Sequence, residues 1–246
     1  MIMKKIIPVI LLCLSLTSCV VLQNLSYNST DPYKGNSKTD IEVTDFFVGV
    51  IEDMYSWKAG DTGDPVIDTA ISSFSDNLSK NGYAYGVNFR SAGDNKYLGT
   101  FNFTDFQKLI DKLSKDYPHQ DLITIREVSG IRELKLNLKL SNYDALCKIV
   151  PFLAEEGFKV WGPIYNNPPY DYLTEDDYKE LVAFILGEDG PESIDKSSVT
   201  IRINLPSDTT IKSTNGKRIN TNTVEFSFPL IDFLLLHEPI VFYVRF

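Results

Sequence analysis

Apolar residues recur at helical spacing in several separate stretches of the chain. The first such stripe consists of Ile67, Ala70, Ile71, Phe74 and Leu78. Asp64 and Pro65 precede this stripe as a helix start signal, and Gly82 follows it as a stop signal. Stripes with the same spacing predict further helices that begin after Thr104 and after Thr174.

An alternation of apolar and polar residues, which is the period of a strand, lies between the helical stretches. It covers residues 83–89, 97–103, 122–128, 134–140, 199–205 and 224–228. The pair Asn215 and Gly216 predicts a type I′ hairpin turn before the last of these strands. Such alternation indicates a sheet with one buried face and one solvent-exposed face. Short hairpins separated by helices therefore predict an α+β fold, in which helices pack on one face of an antiparallel sheet.

Composition divides the chain into a leader, a tether and a globular region. Residues 1–18 form the leader. Residues 23–40 are rich in Ser, Asn, Thr, Lys and Gly and lack apolar periodicity, which predicts a flexible tether over residues 19–40. Residues 41–246 carry the predicted helices and strands and form the α+β globular region. The sequence leaves open whether this region is subdivided near residues 187–197.

The leader is typical of an export signal. Residues 1–5 carry two lysines, and residues 6–16 form a mainly apolar run. This run would span only about 16 Å as a helix, roughly half of the hydrocarbon core of a bilayer. It is therefore interpreted as the apolar part of a signal peptide and not as a membrane-spanning anchor.

The leader ends in Leu16, Thr17, Ser18 and Cys19, and these four residues resemble the bacterial lipobox. In a lipobox a small residue precedes a cysteine, which receives a diacylglyceryl group before cleavage and is then N-acylated. The resemblance implies signal cleavage between Ser18 and Cys19, with palmitate-type acyl chains on Cys19. Two or more such chains hold a protein stably on a membrane. The sequence therefore predicts a lipid-anchored lipoprotein of the bacterial cell envelope, in an inner or outer leaflet.

The charge of the chain excludes one class of partner. The formal net charge is −9, and loss of a leader that carries two lysines and no acidic residue would make it about −11. Isolated pairs such as Lys217 and Arg218 are the longest basic runs of the globular region. Because nucleic-acid binding depends on basic residues that neutralise phosphates, we expect no nucleic-acid partner.

Side chains with catalytic or metal-binding chemistry are few. The two histidines, His119 and His237, are far apart and have no ligand spacing, so we expect no metal and no cofactor. Asp61 begins an Asp-Thr-Gly triplet like that of aspartic proteases, but the chemistry needs two such carboxylates, and we interpret this triplet as a turn. We favour a binding or scaffolding module. The alternative is a hydrolase-like envelope enzyme that uses carboxylates instead of His or Cys.

One loop has the composition of a ligand site. Its candidate binding residues are Trp161, Tyr165, Asn166, Asn167, Tyr170 and Tyr172. Aromatic faces stack on sugars and peptides, and amide groups fix their orientation by hydrogen bonds. The alternative is that the loop only covers the core. The partners expected of this protein are thus the membrane, through the lipid, and an envelope protein, peptide or glycan.

Four stretches in the second half carry a resemblance to a known family. They are residues 149–154, 162–168, 184–188 and 228–236. They resemble a family of uncharacterised treponemal (spirochaete) lipoproteins, over about the last hundred residues of the chain. The resemblance implies a bacterium with two membranes and brings no catalytic residues with it.

Overall fold

The computed structural model describes residues 20–28, 31, 33–42, 48–49, 66–114, 121–149, 153, 161–168 and 172–246. Its strands are β1 (Val20–Tyr27), β2 (Gly35–Glu42), β3 (Ala84–Gly93), β4 (Lys96–Phe103), β5 (Ile123–Val128), β6 (Ile131–Leu138), β7 (Ser198–Asn204), β8 (Ser213–Thr214), β9 (Lys217–Arg218), β10 (Thr223–Pro229) and β11 (Ile240–Arg245). Its helices are α1 (Val66–Asn81), α2 (Phe106–Leu113), α3 (Tyr143–Ile149), α4 (Glu175–Leu186), α5 (Asp189–Asp195) and α6 (Leu230–Leu235). Within these ranges, no helix is long and apolar enough to cross a bilayer.

The strands form two sheets. The larger one has seven strands in the order β3-β4-β2-β1-β7-β10-β9, and the smaller one has four in the order β5-β6-β11-β8. Every pair is antiparallel except β1 and β7, which run parallel. The α+β fold with a mostly antiparallel sheet and helices beside it is therefore confirmed.

The two sheets face each other over part of their area. The ring of Phe226 on β10 stacks on that of Phe242 on β11, with centroids 5.0 Å apart and planes 13° apart. Helices α1 and α2 also pack on the inner face of the larger sheet. Phe74 of α1 contacts Phe89 of β3 at 5.4 Å, and Phe106 of α2 contacts Phe103 of β4 at 5.0 Å.

The tether predicted over residues 19–40 is wrong. Strand β1 pairs with β2 along its whole length, from Val20 opposite Glu42 to Tyr27 opposite Gly35, and it lies in the middle of the larger sheet. The sequence pattern did not predict strands β1 and β2, because polar side chains occupy inward positions where a half-buried strand normally has apolar ones. These positions are Gln23 on β1 and Ser37 and Thr39 on β2, and both β2 residues are buried.

Several helix signals in the sequence are confirmed at the level of single hydrogen bonds. At the start of α4, the Asp177 backbone N–H donates to Thr174 Oγ1 (3.2 Å), and the Thr174 N–H donates to Asp177 Oδ2 (3.0 Å). Gly187 ends this helix with φ +94°. Helix α2 begins one residue later than predicted, because Asp105 and not Thr104 accepts from the Lys108 N–H (3.0 Å).

The turn at Asn215 and Gly216 is not the predicted type I′ hairpin. Neither residue has the positive φ that this turn requires. The strands on its two sides pair with different partners, β8 with β11 and β9 with β10. The turn therefore carries the chain from the smaller sheet to the larger one.

The segment near residues 187–197 joins parts of one sheet. Strand β7 follows this segment and pairs with β1 on one side and with β10 on the other. Helix α5, within the segment, packs closely on α4, because a Cβ added at Gly190 would lie 2.6 Å from Val182 Cγ1. Residues from both sides of the segment therefore share the larger sheet.

Candidate ligand-binding site

The structure describes only part of the site residues that the sequence indicated. Ser18, Cys19 and Tyr170 lie outside the described residues, and so do Asp61 and His119. The lipidation and cleavage of Cys19 therefore stay predictions. Of the aromatic loop, residues 161–168 and Tyr172 are described.

The two asparagines of the loop are buried and bind the end of helix α6. The Asn166 side-chain amide donates to the carbonyl oxygens of Trp161 (3.2 Å) and Leu234 (3.0 Å). The Asn167 amide donates to those of Pro163 (2.8 Å) and Leu235 (2.7 Å). The last carbonyls of a helix have no partner within the helix, so these amides supply the missing donors. The contacts of Asn166 and Asn167 are those of a structural cover.

Trp161 belongs to the same structural unit. It is buried, and its carbonyl oxygen accepts a second hydrogen bond from the Tyr178 hydroxyl of α4 (3.0 Å). Burial raises the pKa of Tyr178, so this hydroxyl keeps its proton and remains a donor. Tyr165 is half-buried, and Tyr172 is exposed. A role in ligand contact stays a prediction for these two tyrosines.

Replacing Asn166 by Ala should lower the free energy of unfolding by about 1–3 kcal/mol, because the buried Leu234 carbonyl would lose its donor. Urea denaturation followed by circular dichroism measures the change. Asn88→Ala on edge strand β3, where the side chain is exposed, is the matched control and should change stability by less than about 0.5 kcal/mol. Equal stability of the two variants would contradict the structural role.

A cleft of about 440 Å³ opens beside this loop. Its walls are Lys139, Leu140, Ser141, Asn167, Leu236, His237 and Pro239. The His237 ring stacks on Tyr172, with centroids 4.2 Å apart and planes 10° apart. Its Nε2 atom is buried and has no hydrogen-bond partner within the described part of the chain. The sequence suggested no role for His237, because only the fold brings it next to the aromatic loop.

Asp121 binds side chains of the segment that forms one wall of this cleft. It accepts from Lys139 Nζ (2.5 Å), Asn142 Nδ2 (2.8 Å) and Asn137 Nδ2 (3.0 Å). Burial opposes ionisation of Asp121, but the hydrogen bonds from Lys139 and Asn142 and the Lys139 charge outweigh it and hold its pKa below the usual range. Lys139 is therefore already paired at the cleft wall.

Replacing Asp121 by Asn should destabilise the fold more at pH 7 than at pH 3. The folded-state pKa of Asp121 lies below its unfolded value of about 3.9, so its stabilisation is complete above that value and is lost as the pH falls through the folded pKa. Urea titrations of the wild type and variant at both pH values measure the difference. The exposed turn residue Asp94, changed to Asn, is the control. A stability difference that is the same at both pH values would contradict this account.

A second, apolar cavity of about 170 Å³ lies between the two sheets and helices α1, α2 and α3. Typical wall residues are Leu109 of α2, Leu136 of β6, Val199 of β7 and Phe228 of β10. Among its described wall residues only Gln23 and Ser37 are polar, and none is charged. This cavity therefore offers a hydrocarbon environment inside the fold.

A void of this size lowers the stability of a folded protein. Core cavities lower stability by roughly 24 cal/mol per Å³, which for 170 Å³ amounts to about 4 kcal/mol. Protein interiors are otherwise packed like organic crystals. An engineered cavity of about 150 Å³ with similar walls stays dry and binds benzene. The void is thus large enough to receive an apolar group, and it is a candidate binding site.

The described walls of the two spaces can be compared with the needs of the hydrolase alternative. That alternative needs paired carboxylates, and no described wall residue of the cleft or of the cavity is Asp or Glu. The described residues also contain no group of three or more His, Cys, Asp or Glu side chains placed to hold a metal ion.

No family model matches the chain, and no curated protein matches it. Among solved structures, the chain is similar to the NMR structure of the folded domain of LppM from Mycobacterium tuberculosis. The sequence identity is 11%, the TM-score is 0.42, and the similarity covers 94% of this chain and 90% of that one. A likeness at this level carries no functional argument, and the resemblance to treponemal lipoproteins stays a prediction.

Proposed function

We propose that this protein is a lipid-anchored binding module of the bacterial cell envelope that holds a single hydrocarbon chain in the cavity between its two sheets. The observation that carries the proposal is the void itself, with its apolar wall. An apolar group that enters it leaves water and gains contacts that the empty wall lacks. Burial of hydrocarbon contributes about 25 cal/mol per Å² of surface removed from water.

The proposed anchor supports the proposed ligand. Strand β1 begins at Val20, directly after the candidate lipidation site at Cys19. With the strand in place of a tether, lipid on Cys19 would hold the larger sheet close to the membrane surface. Gln23 and Leu25 of the same strand line the cavity. An anchored protein of this kind would therefore carry its binding site next to a source of acyl chains.

A sugar or peptide ligand at the aromatic loop has less support. The amide groups of Asn166 and Asn167, which would orient such a ligand, donate to backbone carbonyls. The cavity wall, by contrast, presents apolar surface to an open space of about 170 Å³. The hydrocarbon ligand is therefore the proposal that the contacts favour.

Titration with N-phenyl-1-naphthylamine, an uncharged apolar fluorophore, tests the proposal. The sample is the mature chain with Cys19→Ala, so that no attached lipid competes for the cavity. We expect a fluorescence increase that saturates at one probe per chain and is reversed by n-decane. Absence of saturable binding, or binding that decane does not reverse, would contradict the proposed function.

A further inference from the structure

Three polar side chains form a hydrogen-bonded row on the inner face of the larger sheet. Thr39 Oγ1 donates to Gln23 Oε1 (2.7 Å), and Gln23 Nε2 donates to Ser37 Oγ. Gln23 lies on β1 opposite Thr39 of β2, and Ser37 lies opposite Leu25. Ser37 and Thr39 are 1% and 0% exposed, and Gln23 is half-buried.

The row ends at the cavity, where two of its donors find no acceptor in the described part of the chain. Gln23 and Ser37 both line the apolar cavity. Ser37 Oγ accepts from Gln23, and its own hydroxyl proton has no acceptor among the described residues. One of the two Gln23 amide protons is likewise without an acceptor within the described residues. Buried donors are almost always paired, so the unused hydroxyl donor of Ser37, with the Gln23 amide beside it on the cavity wall, calls for an acceptor inside the cavity.

We propose that the cavity ligand is an apolar chain that bears an uncharged carbonyl oxygen, such as an acyl ester, and that the Ser37 hydroxyl and the Gln23 amide donate to this oxygen. The inference rests on the proposed function, because it names the class of ligand for the same cavity. The apolar wall receives the hydrocarbon, and the polar row selects chains that carry an acceptor.

The wall also discriminates against a charged ligand. No Lys, Arg or His is among the described residues that line the cavity. A carboxylate moved into such a wall loses its hydration without gaining a cation, which disfavours the charged form. A fatty acid therefore enters in its protonated form, and its affinity rises as the pH falls toward the pKa of its carboxyl group.

Three ligands of similar length separate the need for an apolar chain, for an acceptor oxygen and for a neutral charge. They are methyl octanoate, n-decane and the octanoate ion, each measured at pH 7 by displacement of N-phenyl-1-naphthylamine from the mature Cys19→Ala chain. We expect methyl octanoate to bind about tenfold more tightly than decane, and octanoate to bind more weakly than the ester. Equal affinity of ester and decane would overturn the inference and leave the proposed function standing. Tightest binding of octanoate would also overturn it, and failure of all three ligands would overturn both.

Substitution of Ser37 tests whether the polar row causes the preference for the ester over decane. In the same background, Ser37→Ala should bring the ester-to-decane ratio close to one while decane affinity stays unchanged. Ser37→Thr retains a hydroxyl and should keep the preference, which also covers the case in which the Ala variant does not fold. Ser227→Ala on the exposed face of the same sheet is the matched control and should keep the wild-type ratio. An ester preference that survives in Ser37→Ala would overturn the inference.

Discussion

Replacing Val199 by Phe should abolish binding of the apolar fluorophore without unfolding the protein. Val199 is 3% exposed and lines the cavity from β7, between β1 and β10. A ring at this position would occupy the space that the ligand needs. Cavity-filling substitutions typically stabilise a fold by about 0.5–2 kcal/mol, so we expect an equal or higher free energy of unfolding. Affinity for the fluorophore should fall by at least about tenfold, a loss of about 1.4 kcal/mol or more.

The same change on the other side of the smaller sheet provides the control. Val241 lies on β11 opposite Asn137 of β6. The side chain of its neighbour Phe242 faces inward, toward the larger sheet. Val241→Phe therefore adds the same ring outside the cavity and should leave fluorophore binding unchanged. If Val199→Phe folds and binds the fluorophore with wild-type affinity, the fluorophore is bound elsewhere and the cavity is not the site.

Replacing Cys19 by Ala should move the protein from the membrane fraction to the aqueous fraction. The lipobox resemblance predicts that Cys19 carries the acyl chains, and each buried methylene contributes about 0.8 kcal/mol to membrane binding. Loss of two or more chains removes this contribution to membrane binding. Phase separation in a detergent solution, followed by immunoblotting of both phases, measures the change.

Cys147→Ala is the control for this experiment. Cys147 lies on α3, and among the described residues it is the one cysteine. The Cys147 variant should remain in the detergent phase with the wild type. Mass spectrometry of the wild-type N-terminus should find an acylated Cys19 as the first residue. An unmodified Cys19, or a mature chain that begins elsewhere, would rule out lipid anchoring at this position.

Elements with a strong local pattern could be predicted from the sequence. The hairpin of β3 and β4 and the strand β6 have the regular alternation of a half-buried strand. The start of α4 has a capping box whose two hydrogen bonds need only residues three positions apart. Such signals are local, so they do not depend on the rest of the fold.

The strands β1 and β2 could not be predicted in this way. Gln23, Ser37 and Thr39 face inward, and their polarity removed the apolar period on which the prediction depended. The partner of β1 on its other side, β7, follows more than 170 residues later, and local sequence carries no signal for such a pairing. The tether prediction failed at the place where the polar row lies. The ligand-binding role that we propose for these residues would account for their departure from the pattern of an ordinary strand.

The candidate site was predicted only in part. The sequence predicted the aromatic loop as a candidate ligand site, but the contacts of Asn166 and Asn167 with α6 depend on residues 68 positions away. The cavity had no signal of its own, because Leu109, Leu136 and Val199 are each indistinguishable in sequence from ordinary core residues. A void is a property of how side chains fail to fill space, and it becomes visible only when all of them are placed.

A crystal structure of the mature Cys19→Ala chain with a bromine-tipped methyl ester of a medium-length fatty acid tests the central claim most directly. Anomalous diffraction locates the bromine without reference to any assumed site. The account predicts one bromine peak within the cavity, in contact with the walls formed by Leu109, Leu136 and Phe228, and an ester carbonyl within hydrogen-bond distance of Ser37 Oγ. A bromine peak in the cleft beside His237, or on the outer surface with the cavity empty, would contradict it.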